Sequence, residues 1–448
     1  MQRAFAIAQA TTKKDAKGRA QFSEGLNTTA LTLYSAAKDG HQFVVFLHTA
    51  ELALQYGLLE PAVVAKDSEE LAVTKTEQFT MPIKGLWDLA ARLYRTLGDK
   101  DGEQRCMFAS VQQTLAMRKQ VNSAGAEAYW VQRALLELRH IEGQDELEEK
   151  LLLELRRLQR ASTKEMATFS FPLEVKEIRE RVEQIFENLT FAETMRKFGL
   201  LAQSPSVKGL RQEALDLLRD HPLQGIMPMG HIDHEGKPIA HSPAADTNGE
   251  QSEEWYRPHI LRSEDFRRQH TIAGIIEPAR LTIQSRFLIE ERHLEPIVVR
   301  SPFVPQSQAP IIVLGLARYF QGDFMSATHL LIAQLEPCLR HILKLNGHDP
   351  IRRFDDGTEE DFDLNAMISR MRPELERIFG ADWVYELDLL FAGRPGPSLR
   401  NELSHGQLSA GACFHPNVLY GCWMMYRLCM IFLLPHWDQI APDLEATE

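Results

Sequence analysis

Cysteine is scarce in this chain. The five present, Cys106, Cys338, Cys413, Cys422 and Cys429, form no C-x-x-C pair. That argues against a disulfide framework or a zinc ribbon and for reduced thiols buried in helices. Long apolar runs are also missing. The most apolar segment, Tyr420 to Leu434, is interrupted by Arg427 and falls short of the ~20 residues that span a bilayer. The N-terminal "MQRAFAIAQATTKKDAKGRA" has an apolar stretch shorter than the roughly 7–15 residues of a signal peptide. A cytoplasmic, reducing location is the expectation. Excess positive charge is absent too: 50 Lys and Arg stand against 62 Asp and Glu, a formal net charge of −12. This balance argues against a broad nonspecific nucleic-acid surface, which needs clustered cations, but leaves room for a small basic pocket.

Several chemistries lack their signatures. There is no phosphate-cradling Gly-rich loop, no G-x-S-x-G elbow and no kinase signature. His231, His234 and His241 give an H-x-x-H followed by a third histidine. No Glu sits between the first pair, as a zinc protease requires, and the turn-rich surroundings fit a solvated hairpin. The acidic run "DDGTEEDFD", Asp355 to Asp363, lacks the ligand spacing and glycine of a calcium loop and reads as a charged connection. No metal and no cofactor are expected.

What the chain does have is helical periodicity. A hydrophobic share of 44% with 25% charged residues is that of a soluble globular protein. At 448 residues it is long for one compact core, so two domains or an elongated helical body are expected. "GLWDLAARLYRTLGD", "KDGEQRCMFASVQQTLAMRKQ" and "AGAEAYWVQRALLELRHIEG" read as successive amphipathic helices. In the first, Leu86, Leu89, Ala90, Leu93 and Tyr94 share a face, and Asp99 to Gly102 gives a turn. Such pairs are similar to tetratricopeptide hairpins, although no 34-residue repeat recurs.

The fold class expected is therefore all-α. Residues 1–20 read as a flexible N-terminus and 21–221 as a solenoid-like helical domain. Residues 222–258 read as an irregular linker with a small hairpin at "HIDHEGKPIAH", because Gly, Pro, Asp and Ser concentrate there. A C-terminal helical bundle over 259–448, with its core at about 308–436, follows from the apolar runs. Within it "RHLEPIVVRSPFVPQSQAP" reads as a Pro-rich break, the run from Ile311 to Gly347 as one long helix or two joined at Gly322, and Pro435 as the stop of the last apolar run.

"GRPGPSLRNELSHGQLSAG", Gly393 to Gly411, is the stretch with chemical content. An Arg followed by a His is not specific, since Arg133 with His140 and Arg286 with His293 occur inside amphipathic helices. Here the context differs. A Gly–Pro break precedes the pair, Ser398 is a candidate N-cap, and Arg400 and Asn401 would lie in a first helical turn where amides and dipole favour phosphate. His405 and Gly406 follow. A plain helix end with a dipole-stabilised histidine fits the same residues.

"RNELSHG" resembles the R-N-x-x-x-H signature of the HEPN superfamily. Together with the upstream "GLARYFQGDFMSATHLLIAQLEPCLRHIL" it resembles the DUF4209 family, whose G-D-F-x-x-A-x-H-L-L segment precedes an R-N-x-x-x-H-G. The resemblance implies a HEPN-like helical bundle, a metal-independent endoribonuclease and a homodimer in which two motifs face each other. It implies catalytic roles for Arg400, Asn401 and His405, and a setting in toxin or antiviral defence or in RNA processing. His405 would act as base or acid, Arg400 would grip phosphate oxygens, and Asn401 would orient His405 or donate to a phosphoryl oxygen. Upstream, His329, Glu336 and Arg340 are spaced to share one helix face as supporting residues. Glu336 is placed to pair with Arg400, or else to form an ordinary surface pair with Arg340. The alternatives are a catalytically silent RNA-binding or dimerisation module and a helical scaffold. The N-terminal helices would recruit a protein partner or effector.

Overall fold

The protein is described by a computed structural model over residues 16–74, 81–166, 172–226, 228–232, 235–246 and 249–448. It is all-α apart from two small antiparallel hairpins. The chain divides into two compact units, Met1–Thr168 with Asp233–Lys237, and Phe169–Ile232 with Pro238–Glu448.

The N-terminal unit is a succession of helices: α1 (Ala16–Asp39), α2 (Phe43–Gln55), α3 (Pro61–Val73), α4 (Met81–Leu97), α5 (Lys100–Ala116), α6 (Ala124–Leu138) and α7 (Asp145–Glu165). Each packs chiefly against its chain neighbours. Its apolar residues form separate clusters that follow one another along the sequence, one around Phe46, Trp87 and Cys106 and the next around Val111, Val131 and Leu151. This nearest-neighbour layering is that of an α-solenoid. Polar caps start the helices: Asp99 accepts from the Gly102 amide at 3.0 Å and Ser123 from that of Ala126 at 3.2 Å, as first-turn amides require. Of the expected flexible segment 1–20, residues 16–20 already belong to α1 and the rest lies outside the described residues.

The C-terminal unit opens with α8 (Lys176–Glu187), α9 (Phe191–Gly199), α10 (Val207–Asp220) and α11 (Leu223–Ile226). The hairpin β1 (Met229–Ile232) and β2 (Pro238–Ser242) follows, with Gly230 opposite His241. Then come α12 (Glu253–Thr271), α13 (Glu277–Phe287), α14 (Glu291–Arg300), α15 (Ala309–Gln321), α16 (Phe324–Leu331) and α17 (Leu335–Leu345). A second hairpin, β3 (Ile351–Arg353) and β4 (Glu359–Asp361), leads to α18 (Leu364–Arg370), α19 (Arg372–Phe379), α20 (Ala381–Leu387), α21 (Leu399–Ser404), α22 (Pro416–Ile431) and α23 (Trp437–Glu445).

Helix α22 is the axis of this unit. It is buried from Asn417 through Met430 and packs against α9, α12, α14, α15 and α16. Trp423 Nε1 donates to the Phe198 carbonyl at 2.9 Å, and the Tyr426 hydroxyl to that of Met195 at 2.7 Å. Arg427 is accommodated by stacking over the Trp383 ring at 4.0 Å. The apolar run is thus a core helix. No single described helix is long and apolar enough to cross a membrane; the pair Pro416–Ile431 and Leu434–Glu445, apolar when taken together, is bent by 50°. A buried polar network ties α12 to α20 and α22. Arg267 bridges Glu264 at 2.6 Å and Glu386 at 2.9 Å, and the Tyr420 hydroxyl donates to Glu386 at 2.8 Å.

Four expectations need correction. The division between units falls at Thr168 and Phe169 instead of near residue 221, because Val182, Phe186, Phe191, Met195 and Phe198 of α8 and α9 are buried in the C-terminal core. The expected linker 222–258 contains more regular structure than its hairpin: α11 lies in it, and so does the start of α12, where Ser252 accepts from the Trp255 amide at 3.3 Å. The Pro-rich break contains α14 with Pro296 inside it. Proline costs a helix about 3 kcal/mol, but Leu294, Ile297 and Val298 are buried there, at roughly 1.5–3 kcal/mol each, so tertiary packing wins. The acidic run forms the turn and return strand of the second hairpin, where Phe354 pairs with Thr358 and Asp356 accepts from the Thr358 amide at 3.0 Å.

Candidate active site

The segment that carries Arg400 is placed by a clamp on the loop before it. Helix α20 runs on through a wide turn, Asp388–Ala392, and stops at Gly393. Arg257 of α12 reaches into this stop, with Nη1 3.2 Å from Asp388 Oδ2, Nη2 donating to the Asp388 carbonyl at 3.1 Å and Nε to the Pro395 carbonyl at 3.1 Å. Arg372 adds a bond to Asp388 Oδ2 at 2.8 Å. A Cβ at Gly393 would lie 1.9 Å from Arg257 Nη2, so only glycine lets the guanidinium approach the backbone.

Ser398 does not act as the N-cap that its position suggests. It sits in the left-handed region, φ 45°, and its hydroxyl donates back to the Ala392 carbonyl at 2.9 Å. Ser398 and Leu399 are buried, and α21 has six residues. The N-terminal end of α21 is therefore closed, not an open phosphate cradle. Asn401 is the strut of this turn: its Nδ2 donates to Ser398 Oγ at 3.0 Å and to the Ala392 carbonyl at 3.3 Å, while its Oδ1 accepts from Arg400 Nη1 at 3.3 Å. Its amide is spent on the loop and on Arg400, which corrects the expectation that it orients His405.

Arg400 is held from the other side by α17. Its Nη2 lies 2.6 Å from Glu336 Oε2. The same carboxylate accepts from Arg340 Nη2 at 2.9 Å and from the Leu364 amide at 3.1 Å. Arg340 in turn donates to the Phe362 carbonyl at 3.2 Å and pairs with Asp361 at 3.5 Å. Glu336 thus joins Arg400 and Arg340, and both pairings anticipated for it are present. The Arg400 side chain retains 23% exposure against 16% for Glu336. The guanidinium is thus held through both terminal nitrogens and is still partly reachable from solvent.

His405 closes α21 at the C-cap, and Gly406 follows with φ 65°, a left-handed helix end that glycine adopts without strain. The imidazole is exposed. His329 is not part of the cluster. Its Nδ1 bonds the Met325 carbonyl at 2.8 Å, and a tight turn at Ile332–Gln334 separates α16 from α17. That turn breaks the single helix face that would have aligned His329 with Glu336 and Arg340.

Sequence spacing did not identify Arg257, Asp388 and Arg372, because the clamp joins residues far apart in the chain. Its one local trace is Gly393, just beyond an acid at the end of an apolar helix. Elsewhere, His231 Nε2 bonds Ser242 Oγ at 2.6 Å, and its pKa is lowered by burial and by nearby His241. His234 lies outside the described residues. Among the described residues no group of three or more His, Cys, Asp or Glu is arranged to hold a metal ion. Neither a family model, nor a curated protein, nor a solved structure matches the chain.

Proposed function

We propose that the C-terminal unit is a metal-independent endoribonuclease of the HEPN type, acting in the cytoplasm as a homodimer in a toxin, antiphage-defence or RNA-processing setting. The observation that carries this reading is Arg400, held by Glu336 and Asn401 yet partly exposed, on a short helix that an exposed histidine caps.

The chemistry needs a base for the 2′-hydroxyl, an acid for the departing oxygen and positive charge for the phosphorane. His405 can take the 2′-proton as the 2′-oxygen bonds phosphorus. The P–O5′ bond then breaks, and a proton passes to the 5′-oxygen. The products are a 2′,3′-cyclic phosphate and a 5′-hydroxyl. Arg400 stays cationic throughout and offers planar N–H donors to the phosphoryl oxygens. The resemblance to the HEPN superfamily implies that a second motif, from a C2-related copy, supplies the other group. The N-terminal helical stack would then recruit a protein partner or effector.

The test is incubation with mixed RNA in EDTA beside a His405→Ala variant. Cleavage by the parent that is lost in the variant supports the nuclease. Equal degradation by both, or none from either, removes it. Sedimentation of the parent tests the composite site, which a strict monomer would not possess.

A second reading, a catalytically silent HEPN module that binds RNA or dimerises, is favoured by one observation. Glu336 neutralises much of the charge that Arg400 would bring to phosphate. RNA binding without cleavage, and without loss on His405→Ala, would decide for it.

A further inference from the structure

The N-terminal unit carries a basic face that the site above does not use. Arg156, Arg160 and Lys164 follow one another at four-residue intervals along α7, with Arg157 beside them, and together with Leu153, Ala161 and one acid, Glu165, they line an open groove. Four-residue steps place successive cations about 6 Å apart along the helix axis. All four basic residues are exposed, in a chain whose net charge is −12.

The helix dipole favours cations in the last turn only, which covers Lys164 but not Arg156, Arg157 or Arg160. Neighbouring carboxylates are engaged elsewhere: Glu154 pairs with Arg118 at 2.8 Å, and Glu165 accepts from the Ala124 amide at 2.9 Å. Glu235 reaches Arg160 only at 3.7 Å and is also paired with Lys237. Among the described residues Arg156, Arg157 and Lys164 have no carboxylate within ion-pair distance.

We propose that this face of α7 binds the phosphodiester backbone of single-stranded RNA. The choice of RNA as the polyanion rests on the nuclease reading. Charge at regular intervals complements a strand with one negative charge per nucleotide. Among the described residues the groove is lined by no aromatic ring that would stack a base, so the contacts it offers are to the backbone and binding is strongly dependent on salt. Leu153, 61% exposed, gives the groove its apolar edge.

The experiment uses the full chain with His405→Ala, so that RNA survives, and follows fluorescein-labelled poly(U) by anisotropy across a salt series. Substituting Arg156→Gln, Arg157→Gln and Lys164→Gln together is expected to weaken binding about tenfold or more and to flatten the log–log salt slope by about 2. Arg156→Lys with Arg157→Lys should keep both affinity and slope. Equal affinity and slope in the parent and the triple variant would overturn the proposal. So would displacement of poly(U) by polyglutamate as readily as by unlabelled poly(U), which would assign the face to an acidic protein. Cleavage by the unmodified chain is scored separately. A chain that binds through α7 but does not cleave loses the nuclease reading and keeps this one; a chain that cleaves but ignores the triple substitution does the reverse.

Discussion

Arg400 Nη2 lies 2.6 Å from Glu336 Oε2, and that carboxylate also accepts from Arg340 and from the Leu364 amide. One acid therefore fixes two cations and a helix start. Glu336→Gln keeps the shape but leaves two neighbouring guanidinium groups without their shared counter-ion. Losing one partner of a fully buried pair costs about 3–5 kcal/mol. Here both Arg400 and Glu336 stay partly exposed, so about 1–2 kcal/mol is expected. Thermal unfolding should show the loss, and single-turnover RNA cleavage should slow by about tenfold through misplacement of Arg400. An unchanged melting temperature and rate would remove Glu336 as a positioning residue.

Arg400→Lys separates charge from geometry. Lysine keeps the positive charge but cannot pair with Glu336, touch Asn401 and still present a planar donor edge outward. Cleavage should fall about 100-fold, with poly(U) affinity barely changed. A variant that cleaves as well as the parent would show that charge alone suffices.

Gly393→Ala tests the clamp. The new methyl would meet Arg257 Nη2 at 1.9 Å and Asp388 Oδ1 at 2.7 Å, forcing the guanidinium off Asp388. Overpacking of this kind costs about 1–3 kcal/mol, readable as a lower denaturant midpoint. Because the clamp sets the loop that feeds α21, RNA cleavage should drop in the same variant. Asn401→Asp should fail to rescue the turn, since a carboxylate cannot donate to both Ser398 Oγ and the Ala392 carbonyl, and it should lower stability by about 1–2 kcal/mol.

Acid should weaken the C-terminal unit through His293. The ring is buried against Phe191, and its Nδ1 accepts from the Glu290 amide at 2.9 Å. Burial first, and Arg292 second, lower its pKa from the ordinary 6.5. Burial likewise lowers those of His259 and His231. The unfolded chain then binds more protons than the folded one. The stability linked to these rings is complete above about pH 6.5 and is lost as pH falls through the depressed folded values. Melting temperatures should decline from pH 7 to pH 5, and His293→Gln should decline less steeply over that window. Parallel slopes for parent and variant would remove His293 as a contributor.

Much of the fold is legible in the sequence because helical periodicity is a local signal. The helices from Met81 to Leu138 and the joint at Gly322 lie where apolar spacing and breakers put them. For Glu336 the spacing leaves Arg400 and Arg340 open as alternative partners, and the fold gives it both. What periodicity cannot carry is partnership across distance. Nothing around Phe191 or Phe198 announces that these rings belong with Tyr426 and not with the helices before them. Arg257 looks like any surface arginine until Asp388 is beside it. Ser398 misled for the opposite reason: its residue type suits a cap, but the left-handed backbone turned its hydroxyl away from the helix.

The burial of α22 has a consequence for how the molecule is made. The N-terminal helices pack chiefly against their chain neighbours, so the stack can build up as it leaves the ribosome. The C-terminal unit is built in the opposite order. Leu399 at the start of α21 rests on Gly421 of α22, where an added Cβ would come within 3.0 Å of the leucine methyl. The turn with Arg400 and His405 is therefore translated before the surface it leans on exists. A nascent chain that has reached His405 but not Met430 holds the residues of the site without their support, so an activity of this site would stay silent during synthesis until α22 has emerged.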